Sequence, residues 1–483
     1  MTDGGTSPSI AASGRAASQG GLERDAIGVV QDTVIGMASS APAASVGLTL
    51  AALAAATAYG SGPIIVITAI PMLVIANAYR RLNLWNVNCG ASYEWVGRAI
   101  DPSVGFMIGW LMIAGYVIAT VSGVEVLGPS VLAVFGNSAT NTWGNIGIAT
   151  AVGLAMLALA VVGIRITART QVGIAVIEYV ILIGFAIVGV IAVASHWTGT
   201  YHFSSGWLSP SGINGQGSAV AGFLIAVFIF TGWDGALYVN EEVKERRRNP
   251  GRAALLAVAL LAVIYTLSIV GLQGTVSPAK LQANSASALV YTAQALGGSG
   301  WAKVMALGLA LSVIATTGTG IVLTARIVFS MARDRVLPPA LSKISGRYAT
   351  PVNASVVVGV LIVALAWVYL LATTVQNAFN DVVAVAGLLF AVFYIFTALA
   401  TITYYRQLVA SGARNALVLG VLPLAAAAFL GWIVVKSLLS APSAQLWSLV
   451  GVVAVGLALL ATARYVLRSP FFQLPREKYQ EVP

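Results

Sequence analysis

Residues 218–248 read SAVAGFLIAVFIFTGWDGALYVNEEVKERRR. The opening apolar run suits a membrane helix, but Thr231-Gly232-Trp233-Asp234-Gly235 interrupts it before the chain reaches Glu241-Glu242 and Arg246-Arg247-Arg248. Two glycines around a carboxylate weaken the helix and free backbone groups. A bilayer tolerates such a break only where it lines a cavity. An intramembrane carboxylate is costly and marks a functional position.

Composition extends this reading to the whole chain. Its mean hydropathy is +0.88, and only 9% of its 483 residues are charged, against about 25% in a soluble domain. Apolar runs long enough to span a bilayer fall near 28–56, 62–79, 103–135, 146–163, 171–195, 218–240, 253–276, 301–332, 352–372, 379–404, 416–437 and 444–463. With a cytoplasmic N-terminus, only Lys280, Lys303 and Lys436 of the 26 basic residues fall on the outer side. The positive-inside rule therefore sets twelve spans with both termini cytoplasmic. The net charge of +10 is topogenic, and nucleic acid is not an expected partner; the lipid bilayer is. Arginine exceeds lysine and alanine abounds, which points to a bacterial inner membrane. The single cysteine, Cys89, excludes disulfides, and no metal or other cofactor is expected.

Residues 1–22 read as a disordered cytoplasmic tail, 23–468 as the membrane domain, and 469–483 as a short polar cytoplasmic tail. In the inner loop 80–102, Leu84, Trp85, Tyr93 and Trp95 predict a helix lying at the membrane interface. In the outer loop 277–300, Ala286–Ala295 predicts a short surface helix. The first span is also interrupted, at Gly36-Met37-Ala38-Ser39-Ser40-Ala41-Pro42. Pro42 removes a backbone hydrogen bond and clashes with the preceding turn. Breaks at matching positions, five helices apart, predict inverted repeats (about 26–195 and 218–404) with the site between them, and peripheral helices over 416–468.

Several motifs carry a family resemblance. Cys89-Gly90-Ala91-Ser92-Tyr93-Glu94-Trp95-Val96 leads to Gly105-Phe106 and Gly109-Trp110. Gly232-Trp233-Asp234 runs through Glu241-Glu242-Val243-Lys244; Ala325-Arg326, Met331-Ala332-Arg333-Asp334 and Thr350-Pro351-Val352-Asn353 follow in order. In this set, covering about Leu22 to Arg468, the chain resembles the amino acid–polyamine–organocation superfamily. The resemblance implies a LeuT-like all-α fold and a secondary transporter working by alternating access, not an enzyme. No Walker-type phosphate loop occurs, in keeping with transport without ATP.

By the same resemblance, Phe228 caps the substrate and carbonyls around Phe228, Ile229 and Thr231 accept its ammonium. Trp233 and Tyr116 belong to the pocket wall. Asp234 either pairs with a substrate ammonium or holds the broken helix. Ser40, Ala41 and Pro42 stand where relatives offer free N–H groups to a carboxylate, but Pro42 has none to offer, and the hydroxyls of Ser39 and Ser40 are the expected substitutes. Glu178 stands where relatives carry a coupling lysine in span 5. It serves as a proton-coupling group, a partner for a second ammonium, a sodium ligand, or a structural link to span 1. Thr316 and Thr317 face that position from span 8, and Glu125 is a candidate vestibule charge. Glu241 and Glu242 read as inner-gate ion pairs near Lys244 and Arg246–Arg248. Three interior carboxylates favour an amine, a polyamine or a basic amino acid over a neutral amino acid, with the proton as coupling ion and sodium as alternative. Exchange, a monomer or homodimer, and a non-transporting nutrient sensor remain open at this point.

Overall fold

The computed structural model describes residues 21–136, 141–197, 203–213, 219–284, 288–372, 375–477 and 479. Apart from Gly21 and Leu22, the expected tail of residues 1–22 lies outside them, as do His202, Ala286 and Ser287. Among the described residues, twelve helical segments are long and apolar enough to cross a membrane. They are span 1 (Val29–Ala54), span 2 (Ala58–Trp85), span 3 (Pro102–Val134), span 4 (Thr142–Val162), span 5 (Ile164–Ala194) and span 6 (Ala219–Glu242). Then come span 7 (Asn249–Thr275), span 8 (Ala288–Arg333), span 9 (Val352–Ala372), span 10 (Val382–Tyr404), span 11 (Ala413–Ser440) and span 12 (Ser443–Val466).

Burial sorts these spans into layers. Spans 1 and 6 are largely enclosed, whereas span 12 is almost wholly exposed. Span 3 packs on spans 8 and 10, span 2 on span 7, and span 7 on span 5. Spans 5 and 7 touch backbone to backbone: a Cβ on Gly189 would lie 2.8 Å from Gly271 Cα. Without a hydrophobic force between helices in lipid, such small-residue contacts hold them together. On span 5, Val176, Ile177 and Val180 face outward while Glu178 is fully buried. The apolar face meets lipid and the carboxylate turns into the bundle.

Three regions add detail to their sequence reading, and one of them departs from it. Helix Ser92–Ala99 does not lie open at an interface: Tyr93, Trp95 and Val96 are fully buried. The segment after Ser469 covers it, with Phe471 stacked on Tyr93 at 4.9 Å and Glu477 bonded to Arg98 at 2.8 Å and to Trp85 at 3.2 Å. The C-terminal segment is thus a docked strap, because its Phe471 and Glu477 supply what a free polar tail lacks. The outer helix at the start of span 8 (288–296) is divided from the rest by non-helical Gly297 and Gly298. It buries Ala288, Leu289, Thr292 and Ala293. It is a surface helix that packs its apolar face into the bundle and turns Gln294 and Ala295 outward.

Candidate functional site

The break in span 1 is a single left-handed residue. Helix Val29–Ser39 ends with Ser40 N–H on the Met37 carbonyl (3.0 Å) and Ala41 N–H on the Ala38 carbonyl (3.2 Å). Ala41 then adopts φ 47°, ψ 62°, and a new helix starts at Pro42. Proline suits that first position, where its fixed φ matches the helix and its missing N–H has no intrahelical partner to lose. The next amides are already taken. Ala43 N–H donates to Glu178 Oε1 (3.0 Å) and Ala44 N–H to Ser312 Oγ (3.3 Å). A carboxylate from span 5 thus occupies the helix N-terminus, where amides and dipole both favour an anion.

Span 6 breaks differently. Its helix Ala219–Ile229 ends as Thr231 N–H and Thr231 Oγ1 both donate to the Phe228 carbonyl, at 2.9 and 2.7 Å. Gly232 turns to φ 99°, and short 3₁₀ turns at Trp233–Leu237 and Asn240–Glu242 complete the span. No other residue fits at 232, since a Cβ there would lie 2.4 Å from the Ser39 carbonyl oxygen and 2.7 Å from Ser40 N. The Ser39 hydroxyl donates to the Gly232 carbonyl, locking the two breaks together.

Between the breaks lies a small, partly open cavity of about 50 Å³. It runs along span 1 from Ser39 to Thr49, away from the side that carries the termini. Of the expected site residues, Ser39, Ser40, Ala41, Phe228, Thr231 and Thr316 line it. Span 3 adds Thr120 and Ser122, which the sequence reading missed although Thr120 lies one turn from the proposed Tyr116. Most of the wall's hydroxyls direct their hydrogens to backbone carbonyls: Ser40 to Gly36, Ser45 to Ser40, Thr120 to Tyr116, Ser122 to Ala119, Thr316 to Ala38. What they turn to the cavity is lone pairs.

A family model described as amino acid permease matches residues 31–461. The chain belongs to that family. It is 26% identical over 300 residues to cationic amino acid transporter 4, vacuolar, of Arabidopsis thaliana, covering 58% of this chain and 48% of that protein. It is 32% identical over 151 residues to Asc-type amino acid transporter 1 of Homo sapiens, covering 31% and 28%. An uncharacterized transporter of Mycobacterium tuberculosis matches at 25% over 351 residues, 71% of this chain and 74% of the relative. The chain therefore aligns with about half, or less, of the first two relatives.

The remaining expected residues of the permease lie off the cavity wall. Asp234 is fully buried, its Oδ1 accepting from Tyr394 (2.8 Å) and its Oδ2 from Tyr238. Trp233 stacks on Tyr394, with ring centroids 5.4 Å apart. Tyr116 meets Tyr238 edge-on at 5.4 Å and Phe390 at 5.0 Å. Together they form an aromatic floor beneath the cavity, and the partners of Asp234 there are phenols. Glu178 sits behind span 1, and its second oxygen has no hydrogen-bond partner. Ile229 is buried, and Thr317 bonds its own helix at Val313. Glu125 accepts from Tyr369 of span 9 at 2.7 Å, so it faces a neighbouring helix.

Below the floor the permease is closed in successive polar layers. Asn240 donates to Asn83 (2.7 Å) and to the Asn88 carbonyl (3.1 Å), and Ser330 donates to Asn88 Oδ1 (2.8 Å). Fully buried Arg326 grips Glu242 through two bonds of 3.1 and 3.2 Å, and Arg333 grips Glu241 likewise at 3.0 and 3.1 Å. Glu241 and Glu242 do form ion pairs, but with span 8 and not with the adjacent basic run, whose Lys244 and Arg246–Arg248 are exposed. The chain before span 1 joins the seal: Ala26 N–H bonds the Glu242 carbonyl (2.8 Å) and Lys244 N–H the Ile27 carbonyl (2.9 Å). At the rim, burial lifts the Glu94 carboxyl above its ordinary range, Asp334 adds to the rise, and Arg98 opposes it.

Proposed function

We propose that this permease is a secondary transporter. It imports amines or amino acids across a bacterial inner membrane by alternating access, with both termini cytoplasmic, and it prefers cationic substrates. One observation carries the preference: at the span 1 break no backbone amide is left for a substrate carboxylate. Ser40 and Ala41 bond backward, Pro42 lacks a hydrogen, and Ala43 and Ala44 are held by Glu178 and Ser312. The polar points of an otherwise largely apolar cavity wall are hydroxyls, whose oxygens can accept from an ammonium. An anion would find few donors there, and a buried charge without hydrogen bonds is costly. A cavity open away from the termini and sealed towards them corresponds to one end state of alternating access.

Glu178 is the proposed coupling group, with the proton as its ion. Burial works against its ionised form, while the Ala43 N–H, the helix N-terminus and Ser312 work for it, so the carboxyl is placed to take up and release a proton. Sodium is the second candidate ion, since the free oxygen can also ligate a cation.

The deciding measurement is uptake into proteoliposomes with competition by a diamine, a basic amino acid and a neutral amino acid. The diamine and the basic amino acid are expected to compete at least tenfold better. Stronger competition by the neutral amino acid would overturn the cationic preference. Uptake that requires internal counter-substrate would convert the reading to exchange, and binding without any uptake would favour a sensor.

A further inference from the structure

Asp32 takes no part in anything described so far. Six carboxylates are buried among the described residues: Asp32, Glu94, Glu125, Glu178, Asp234 and Glu242. Five have a hydrogen-bond partner. Asp32 is fully buried on the inner half of span 1, and neither of its oxygens has one.

The elements packed against this half-helix are spans 5, 7 and 8 and the segment Trp233–Leu237. Their charged and titratable groups are otherwise engaged or lie elsewhere. On span 5, Arg165 pairs with Glu23, Arg169 is exposed, Glu178 holds Ala43, and Tyr179 makes no bond to Asp32. On span 7, Arg252 is exposed and Tyr265 makes no such bond. Asp234 is held by its phenols, and on span 8 Arg326 and Arg333 are committed to Glu242 and Glu241. An ionised carboxylate in such surroundings costs several kcal/mol, more than a neutral carboxylic acid does.

The half-helix bearing it is marked off at both ends. It is hinged at left-handed Ala41 and held at its far end by the Ile27–Val243 backbone pairing. One turn along from Asp32, Gly36 lies so close to span 6 that a Cβ would fall 2.9 Å from the Trp233 carbonyl oxygen. The packing is tight, and only withdrawal of the half-helix wets this face.

We propose that Asp32 is a proton-binding site linked to closure of the permease on the side of its termini. Seating the half-helix requires the carboxyl proton. When the half-helix swings out, the Asp32 O–H bond breaks, the proton passes to water, and the carboxylate that remains is hydrated; closure reverses the step. By linkage, acid on that side favours the closed form and alkali the open one. Glu178 would then report on the cavity and Asp32 on the opposite side. The proposal rests on the alternating-access reading above.

Cys89 supplies a probe that needs no substrate. It is the chain's only cysteine, fully buried within the seal, with its N–H on Glu241 at 2.9 Å. Its alkylation rate by a maleimide, taken as the ratio of native protein to D32N, cancels the thiol's own pH dependence. The ratio is expected to rise with pH by up to about tenfold per unit through the transition, because D32N stays neutral and closed. A ratio flat with pH would overturn the proposal whatever the uptake assays return. Silent uptake with a rising ratio would instead count against the transport reading alone. Should D32N fail to fold, an Asp234→Asn protein labelled with ¹³C-carboxyl aspartate carries the test. A carboxylic-acid carbonyl stretch in its infrared spectrum at neutral pH is expected, and its absence overturns the proposal.

Discussion

The breaks in spans 1 and 6 solve the same problem with opposite means. Each frees backbone groups inside a membrane, where none can be left unpaired. At span 1 the freed groups are amides, and a carboxylate from another helix, Glu178, takes one of them. At span 6 the freed groups include carbonyls, and hydroxyls take them: Thr231 on Phe228 and Ser39 on Gly232. The donors at the span 1 break are spent internally, while hydroxyl oxygens remain along the cavity. That asymmetry, and not the count of interior carboxylates, is the physical basis for expecting an ammonium.

The comparison breaks most severely at its tightest point. Gly232→Ala forces a side chain into a left-handed backbone, about 1–2 kcal/mol by itself, and drives a Cβ to 2.4 Å from the Ser39 carbonyl. Both breaks must then shift, and a total loss of about 4 kcal/mol or more is expected, seen as aggregation or a collapse of Tm in detergent. Ala41→Gly relieves left-handed strain at the other break by about 1 kcal/mol and makes the contrast explicit. Equal tolerance at 41 and 232 would mean that the breaks are not interlocked as described.

Much of this arrangement was legible in the residues. Gly232 and Gly235 around Asp234 announced a turn that needs a missing Cβ, and Pro42 announced a lost hydrogen bond, so both breaks and all twelve spans followed from local patterns. Pairings at long range were not legible. Nothing near Glu242 says that Arg326 holds it, nor does Asp234 advertise Tyr394, 160 residues away. The reading of Glu241 and Glu242 as inner-gate ion pairs named no partner, and the nearby basic run 246–248 stays in solvent. Asp32 escaped because an acid in the first turn of a helix is an ordinary partner for the helix dipole, and only its burial makes it unusual.

The next effect in size concerns the carboxylate that closes the span 1 break. Glu178→Ala leaves the Ala43 N–H buried without a partner and is expected to lower stability by about 1–3 kcal/mol. Glu178→Gln keeps an oxygen for that N–H and should fold near normally, yet it cannot release a proton. Substrate counterflow is expected to survive in the Gln variant while accumulation driven by a pH gradient disappears. Undiminished proton-driven accumulation would leave Glu178 as a helix cap only, and would strip the coupling role from the comparison without touching the geometry.

The smallest expected effect tests the selectivity argument most directly. Pro42→Ala returns an N–H to the first position of the second half of span 1, at the positive end of its helix dipole and next in the chain to Ala41, which lines the cavity. A substrate carboxylate would gain one donor there, worth about 0.5–1.5 kcal/mol. Part of this is offset, since replacing a proline already in its preferred conformation loosens the unfolded chain by about 0.4–1 kcal/mol. That offset acts on stability alike with any ligand, so it cancels in a ratio of affinities. Competition by an amino acid relative to the amine that lacks only the carboxylate should therefore improve by about three- to tenfold. If the ratio does not move, the missing amide does not set the preference. The hydroxyl lone pairs of spans 1, 3 and 8 would then have to account for it alone.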